Sequence, residues 1–355
     1  MSYSGPFPIF DGHNDVLMRL FNKHVRNAER LFIEGEDVGQ LDLPRAQMGG
    51  FCGGFFAIFC PSDERDDIDS LMDGEAYDIE LPDPLPQENA LQIALSMAAT
   101  LLRIERSSNG SFKVCRTAQD IRNCLKTNTL AAIFHIEGAE AIDRNFNSLE
   151  VLYESGLRSL GPVWSRPNIF GHGVPFSYPR SPDTGPGLTD LGKELVKICN
   201  QKNILVDLSH LNENGFWDVT RLSDAPLIAT HSNAHVICPH SRNLTDKQLD
   251  AIRDTSGMVG VNFATILLRN DTPGNQSTGL DEILRHVDYL IDKLGIEGVG
   301  FGSDFDGARV PEEIGDVAGL ITLRQAMKSR GYDDDTMKKL CFENWINVLE
   351  RTWGS

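Results

Sequence analysis

The sequence predicts an α/β fold, a (β/α)8 TIM-type barrel with inserted loops. Three observations carry this reading. There are eight short apolar runs rich in Val, Ile and Phe, helical patterns lie between several of them, and polar residues gather where the runs end. The runs are 7–12, 51–60, 130–136, 157–163, 203–209, 226–231, 258–263 and 298–303. Most are apolar throughout, which suits parallel strands covered on both faces. At 355 residues the chain has the length of one such barrel with insertions, a fold that spans about 250 to over 400 residues.

The intervening segments follow in order. Residues 88–106 read as a helix. Residues 189–202 place Leu191, Leu195, Val196, Ile198 and Cys199 on one helical face, opened by Thr189 as N-cap. Residues 280–295 repeat the pattern and stop at Gly295, a C′ glycine. Two stretches break the alternation. Residues 61–86 hold ten acidic residues and one basic residue, a net −9 that is half of the chain's −18. They are expected to form a solvated loop, with a lid or a dimer contact as the alternative. Residues 166–188, rich in Gly and Pro, follow the fourth strand. A long loop there lies at the catalytic face of a barrel and is expected to cover a substrate. All of 1–355 is expected to be one domain, because the candidate site residues run from one end of the chain to the other.

Composition excludes several functions. Lys and Arg number 33 against 51 Asp and Glu, and so acidic a surface repels nucleic acid and anionic membrane surfaces. No apolar run approaches the ~18–20 residues of a membrane span. The N-terminal MSYSGPFPIFDGHND shows no secretory signal, so a cytoplasmic location is expected. The seven cysteines form no C-x-x-C pair and read as reduced core residues. There is no phosphate-binding P-loop, and GFCGGFF at 50–56 lacks dinucleotide-binding spacing and reads as a barrel strand.

The chemistry lies at the strand ends. The first run ends in DGHND (11–15), the third in HIEG (135–138), the fifth in DLSH (207–210), the sixth in THS (230–232) and the eighth in GSDFDG (302–307). All C-terminal strand ends of a parallel barrel meet around one mouth. His13, Asp15, Glu137, His210, His231 and Asp304 should therefore converge. His13 and Asp15, two residues apart, leave an extended segment on the same side and can reach one ion. Imidazoles mixed with carboxylates suit zinc or a similar metal better than calcium. The set can serve two metals with a shared carboxylate, which together activate a water and polarise a carbonyl.

These motifs, with THSNAH followed by SRN and the CFENWINVLER helix at 341–351, resemble the membrane (renal-type) dipeptidases, peptidase family M19 of the amidohydrolase superfamily. The resemblance runs over nearly the whole chain. It implies a binuclear zinc enzyme that hydrolyses small dipeptides, commonly L-Xaa-D-Xaa. By position, His13 and Asp15 would bind the first metal, Glu137 and a hydroxide would bridge both, and His210 and His231 would bind the second. Asp304 would face the substrate amine and shuttle the proton. Arg242 would grip the terminal carboxylate, a task its guanidinium fork suits. Relatives are often homodimers, and the resemblance implies as much here.

One position departs from that family. Trp164 stands where many members have a histidine that contacts the carbonyl oxygen under attack. An indole donates one hydrogen bond but carries no charge, so a metal, His172 or Asn168 is expected to help. His135 reads as a core histidine or a support for Glu137. His235 and His240 read as loop residues near the pocket, and His24 and His286 as structural or exposed. Asp11 and Asp306 read as supports rather than ligands. An N-acyl-amino-acid deacylase would satisfy the same site. A lactonase or phosphotriesterase-like enzyme is disfavoured, because no lysine ends a strand. A non-catalytic binding protein on a degenerate barrel is the remote alternative.

Overall fold

Eight parallel strands form the barrel: β1 (Ile9–Asn14), β2 (Phe51–Phe59), β3 (Leu130–Glu137), β4 (Leu157–Gly161), β5 (Leu205–Val206), β6 (Ile228–Ala229), β7 (Met258–Asn262) and β8 (Val299–Gly302). The computed structural model describes residues 7–23, 25–62, 69–72, 74–271 and 278–354. Neighbours pair in the order β5-β4-β3-β2-β1-β8-β7-β6. The ring closes through a parallel bridge between Asp207 and Ile228, where the Leu208 N–H donates to the Ile228 carbonyl at 2.9 Å. A short strand, Phe112–Val114, adds to β3 outside the ring.

β5 and β6 are shorter than their apolar runs, for a local reason. Beyond their two-residue ladders, Asp207 Oδ1 accepts from the backbone N–H of Ser209 (3.0 Å) and of Thr230 (2.8 Å). A side chain thus replaces the next rung and leaves the strand ends free to diverge toward the site.

The strands are buried on both faces, as their continuous apolar character requires. Trp345, from the C-terminal helix Asn344–Trp353, is fully buried and donates from Nε1 to the Phe301 carbonyl at 2.9 Å. Its ring occupies the space that a Cβ on Gly12 or Gly260 would enter, so glycine on β1 and β7 makes room for it. The helix Asp190–Lys202 begins where expected, with Thr189 Oγ1 accepting from the Gly192 N–H at 3.1 Å. The helix Leu280–Leu294 ends at Gly295, whose φ of 80° suits glycine.

The acidic 61–86 segment differs from the solvated loop expected of it, in its described part. Met72 is 3% exposed and Ile79 is buried. Tyr77–Asp78 forms an antiparallel pair with Ser177–Tyr178 of the Gly/Pro-rich loop. The few apolar side chains turn inward while Glu75, Asp78 and Glu80 stay exposed, so a charged composition conceals a packed inner face. Residues 63–68 and 73, and His24, lie outside the described residues. All seven cysteines are unpaired and six are buried. Among the described residues no helix is long and apolar enough to cross a membrane.

Candidate active site

Strand ends bring the polar residues together. His13 Nε2 lies 3.2 Å from Asp15 Oδ2 and 3.6 Å from Glu137 Oε2. The other Glu137 oxygen, Oε1, lies 3.0 Å from His210 Nε2 and 3.3 Å from His231 Nε2. Glu137 therefore turns one oxygen toward the β1 residues and the other toward the residues after β5 and β6. Asp304, after β8, joins His13 and Asp15, their ligand atoms all within 4.8 Å of one another.

Outer hydrogen bonds aim these side chains. Thr230 Oγ1 donates to Asp207 Oδ2 at 2.6 Å, so it accepts from His231 Nδ1 at 2.8 Å. That arrangement keeps the ring proton on Nδ1 and leaves a lone pair on Nε2, as a metal-binding histidine requires. Ser165 Oγ lies 2.8 Å from His210 Nδ1. Asn262 Nδ2 donates to Asp304 Oδ2 at 2.9 Å. His210 and Asp304 both have left-handed backbones, with φ of 66° and 63°. Such conformations cost about 1–3 kcal/mol each and persist where surrounding contacts impose them. Here the Asp304 N–H bonds to the His13 carbonyl (3.0 Å), and the His210 carbonyl accepts from Val174 (2.8 Å).

The electrostatics call for a cation. Burial pushes the Glu137 and Asp304 carboxyls above their usual range, with His13 opposing. Burial pulls His210 and His231 well below the usual imidazole value. His13 is the reverse case: burial opposes its charge, yet the Glu137 and Asp15 carboxylates hold it up at about 10. Asp15 Oδ1 has no hydrogen-bond partner among the described residues. A Cβ on Gly307 would collide with the Asp15 and Asp304 carboxylates, so glycine keeps the approach to them open. Neutral imidazoles, clustered carboxylates and an open approach fit a divalent metal of the zinc type.

Above this cluster lies a recess of about 600 Å³, its mouth included. Arg242 enters it from the loop after β6, held by Nη2 donating to the His231 carbonyl at 3.1 Å, while its Nε has no partner among the described residues. Trp164 forms a wall, its ring 4.8 Å from Phe59 and 5.7 Å from His210.

Not every candidate reaches the recess. His172 does not line it and lies 3.4 Å from the Gly187 carbonyl. Asn168 braces its own loop through the Pro162 carbonyl and the Phe170 N–H. His135 is buried against Ser159 (2.9 Å) and 3.7 Å from Asp207. His235 faces the Arg180 carbonyl, and His286 links Ala234 to Leu268. His240 accepts from the Arg242 N–H at 3.0 Å. Asp11 accepts twice from Ser303, and Asp306 pairs with Arg19 and Gln40. Sequence reasoning missed Ser165, Thr230, Asn262, Gly307 and the fully buried Arg166–Glu140 pair (3.0 Å) beneath Trp164. Proximity in sequence to a ligand was the available signal for Thr230 and Gly307.

A parallel barrel that gathers three imidazoles around one buried carboxylate at its mouth fits the metal-dependent hydrolases, and likeness to known proteins narrows the class. The membrane dipeptidase family, peptidase family M19, matches residues 4–353, and the chain belongs to that family. It is a metal-dependent dipeptidase. A metallopeptidase from Rhodobacter sphaeroides, solved with a phosphinate mimic of the dipeptide L-Ala-D-Ala, is 53% identical with a TM-score of 0.96, over 98% of this chain and 100% of that one. The dipeptidase AC of family M19 is also 53% identical, with a TM-score of 0.96 over 99% and 100% of the two chains. An uncharacterized protein from the PQQ-III 3′ region of Acinetobacter calcoaceticus is 44% identical over 290 residues, 81% of this chain and 90% of its own.

Proposed function

We propose that this dipeptidase is a binuclear zinc enzyme that cleaves small dipeptides and accepts a D-residue at the C-terminal position. The observation that carries the reading is Glu137, whose Oε2 lies nearest His13 and whose Oε1 lies nearest His210 and His231, within a cluster in which His13, Glu137 and His231 offer atoms within 4.8 Å of one another. His13 and Asp15 would hold one ion, His210 and His231 the second, and Glu137 both. When bound, the ions supply Lewis acidity toward the amide carbonyl and make a water nucleophilic near neutral pH.

The chain's own residues do the rest. Arg242 pairs the substrate's free carboxylate and fixes which amide lies over the cluster. Asp304, oriented by Asn262 and raised by burial, receives the proton of the attacking water and passes it to the departing amine. Trp164 and Phe59 exclude bulk water from one side of the amide. The bound mimic of the Rhodobacter relative supports L,D stereochemistry.

The test is turnover of L,L-, L,D- and D,L-dipeptides by purified, zinc-loaded protein, with N-acetyl amino acids alongside and metal content measured. Two zinc ions per chain and L,D turnover are expected. Turnover of L,L-dipeptides alone removes the stereochemical reading, and one ion per chain in active enzyme removes the binuclear one.

A further inference from the structure

Three barrel connections meet over the recess. The described part of 61–86 joins the Gly/Pro-rich loop through the Tyr77–Tyr178 and Asp78–Ser177 pairs. The Ile79 N–H donates to the Phe176 carbonyl at 3.0 Å, and Arg180 Nη1 donates to both Asp78 oxygens at 2.8 and 2.9 Å. The same loop is tied to the connection that carries Arg242. The Ser241 N–H donates to the Ser177 carbonyl at 3.1 Å, the Ser177 N–H to Ser241 Oγ at 3.1 Å, and the Arg180 N–H to the Pro239 carbonyl at 2.9 Å. The result is a bonded arch, not a free flap.

Its inner surface is apolar. Met72, from the turn Asp69–Met72, lines the recess that Glu137 and Arg242 also line, together with Phe59, Trp164 and Phe176. Met72 is 3% exposed whereas its neighbour Leu71 is 57% exposed. The turn thus directs one of two adjacent long apolar side chains into the site. Phe59, Trp164 and Phe176 are rings packed on one another, with Trp164 4.8 Å from Phe59 and 5.7 Å from Phe176, and Met18, Ile266 and Leu267 also line the recess. Met72, unbranched, flexible and carried by the arch, is a part of the wall that a single substitution can retract without dismantling the ring cluster.

We infer that Met72 determines the size of side chain this dipeptidase accepts, by closing the apolar end of the recess under the arch. The inference rests on dipeptides being the substrates and concerns which of them fit. A pocket wall of this kind discriminates by the volume it fills, at about 10–200-fold per methylene-sized change.

The experiment compares kcat/KM for Ala-Xaa and Xaa-Ala dipeptides, with Xaa being Ala, Val, Leu and Phe, in the unaltered enzyme, Met72→Ala and Met72→Leu. Met72→Ala should raise Leu and Phe substrates relative to Ala-Ala by about tenfold in at least one series. Met72→Leu should keep the original ranking. A second variant, Asp78→Ala, severs the exposed Arg180 tie (Asp78 is 67% exposed at its side chain) and should broaden the same series more weakly. An unchanged ranking in both Met72→Ala series, or an equal gain on Ala-Ala, overturns the inference while the dipeptidase reading stands. Absence of dipeptide turnover by the unaltered enzyme overturns both.

Discussion

We expect substrate choice to turn on Arg242, because it lines the recess with Nε unpartnered among the described residues, while Nη2 donates to the His231 carbonyl and Nη1 to Ser232 Oγ. Replacing it with Met removes charge-assisted bonds to the substrate carboxylate and one bond to the His231 backbone carbonyl, but alters no side chain proposed to bind metal. The expected loss is about 3 kcal/mol, or roughly a hundredfold in kcat/KM. It should appear mainly as a higher KM, with metal content intact; unchanged dipeptide kinetics would exclude Arg242 from the site. His286 allows a cleaner test of burial. Burial pushes it down to about 4, so between pH 6.5 and 4 the unfolded chain binds a proton that the folded chain refuses. Stability therefore falls as pH drops through that window and levels off below it, by about 3 kcal/mol from this residue. Urea unfolding of wild type and His286→Asn at pH 7 and pH 4.5 checks the sign, since the variant should lose less on acidification. At this scale the sequence displayed the ionisable residues well, because each ends an apolar run. It hid Ser165 and Gly307, since a hydroxyl or a glycine near a ligand is commonplace until its partner is seen.

At the level of elements, the unexpected strut is Arg166. It is fully buried, pairs with Glu140 after β3, and donates to the Cys60 carbonyl (2.7 Å) and Ser62 Oγ (2.8 Å) after β2. Three connections are thereby fixed beneath Trp164. Arg166→Met leaves Glu140 buried and uncompensated, an arrangement that costs about 3–5 kcal/mol. The double variant Arg166→Met, Glu140→Leu should recover much of that loss, since two apolar groups replace two charges. A double-mutant cycle by denaturant unfolding measures the coupling, and additive losses would show that the pair is not the strut. None of this was legible in sequence. Strands and helices announce themselves by period, so the eight runs and the helices after Thr189 and before Gly295 could be placed. The long connections have no period, and the acidic 61–86 segment advertised its charge while Met72 and Ile79 did its packing.

For the whole molecule, the barrel and the site depend on one another unequally. The core is filled by apolar strands and by Trp345, so the fold has its own source of stability. The mouth instead concentrates Asp15, Glu137 and Asp304, balanced from within by little more than His13 and Arg242. Bound cations would relieve that repulsion in the folded state only, because the proposed ligands are spread from residue 13 to residue 231 and come together only when the barrel closes. Chelation should therefore leave the far-UV circular dichroism of a folded barrel while lowering the urea midpoint. A single ion at 1,000 times its Kd is worth about 4 kcal/mol. The dependence on free zinc then counts the ions. Above both dissociation constants, one site adds about 1.4 kcal/mol of stability per tenfold rise in free zinc, and two sites that form only in the folded state add about twice that. A slope near the doubled value fits Glu137 held between two ions. A slope near the single value assigns one ion to the cluster, and a chelator-insensitive midpoint denies it any.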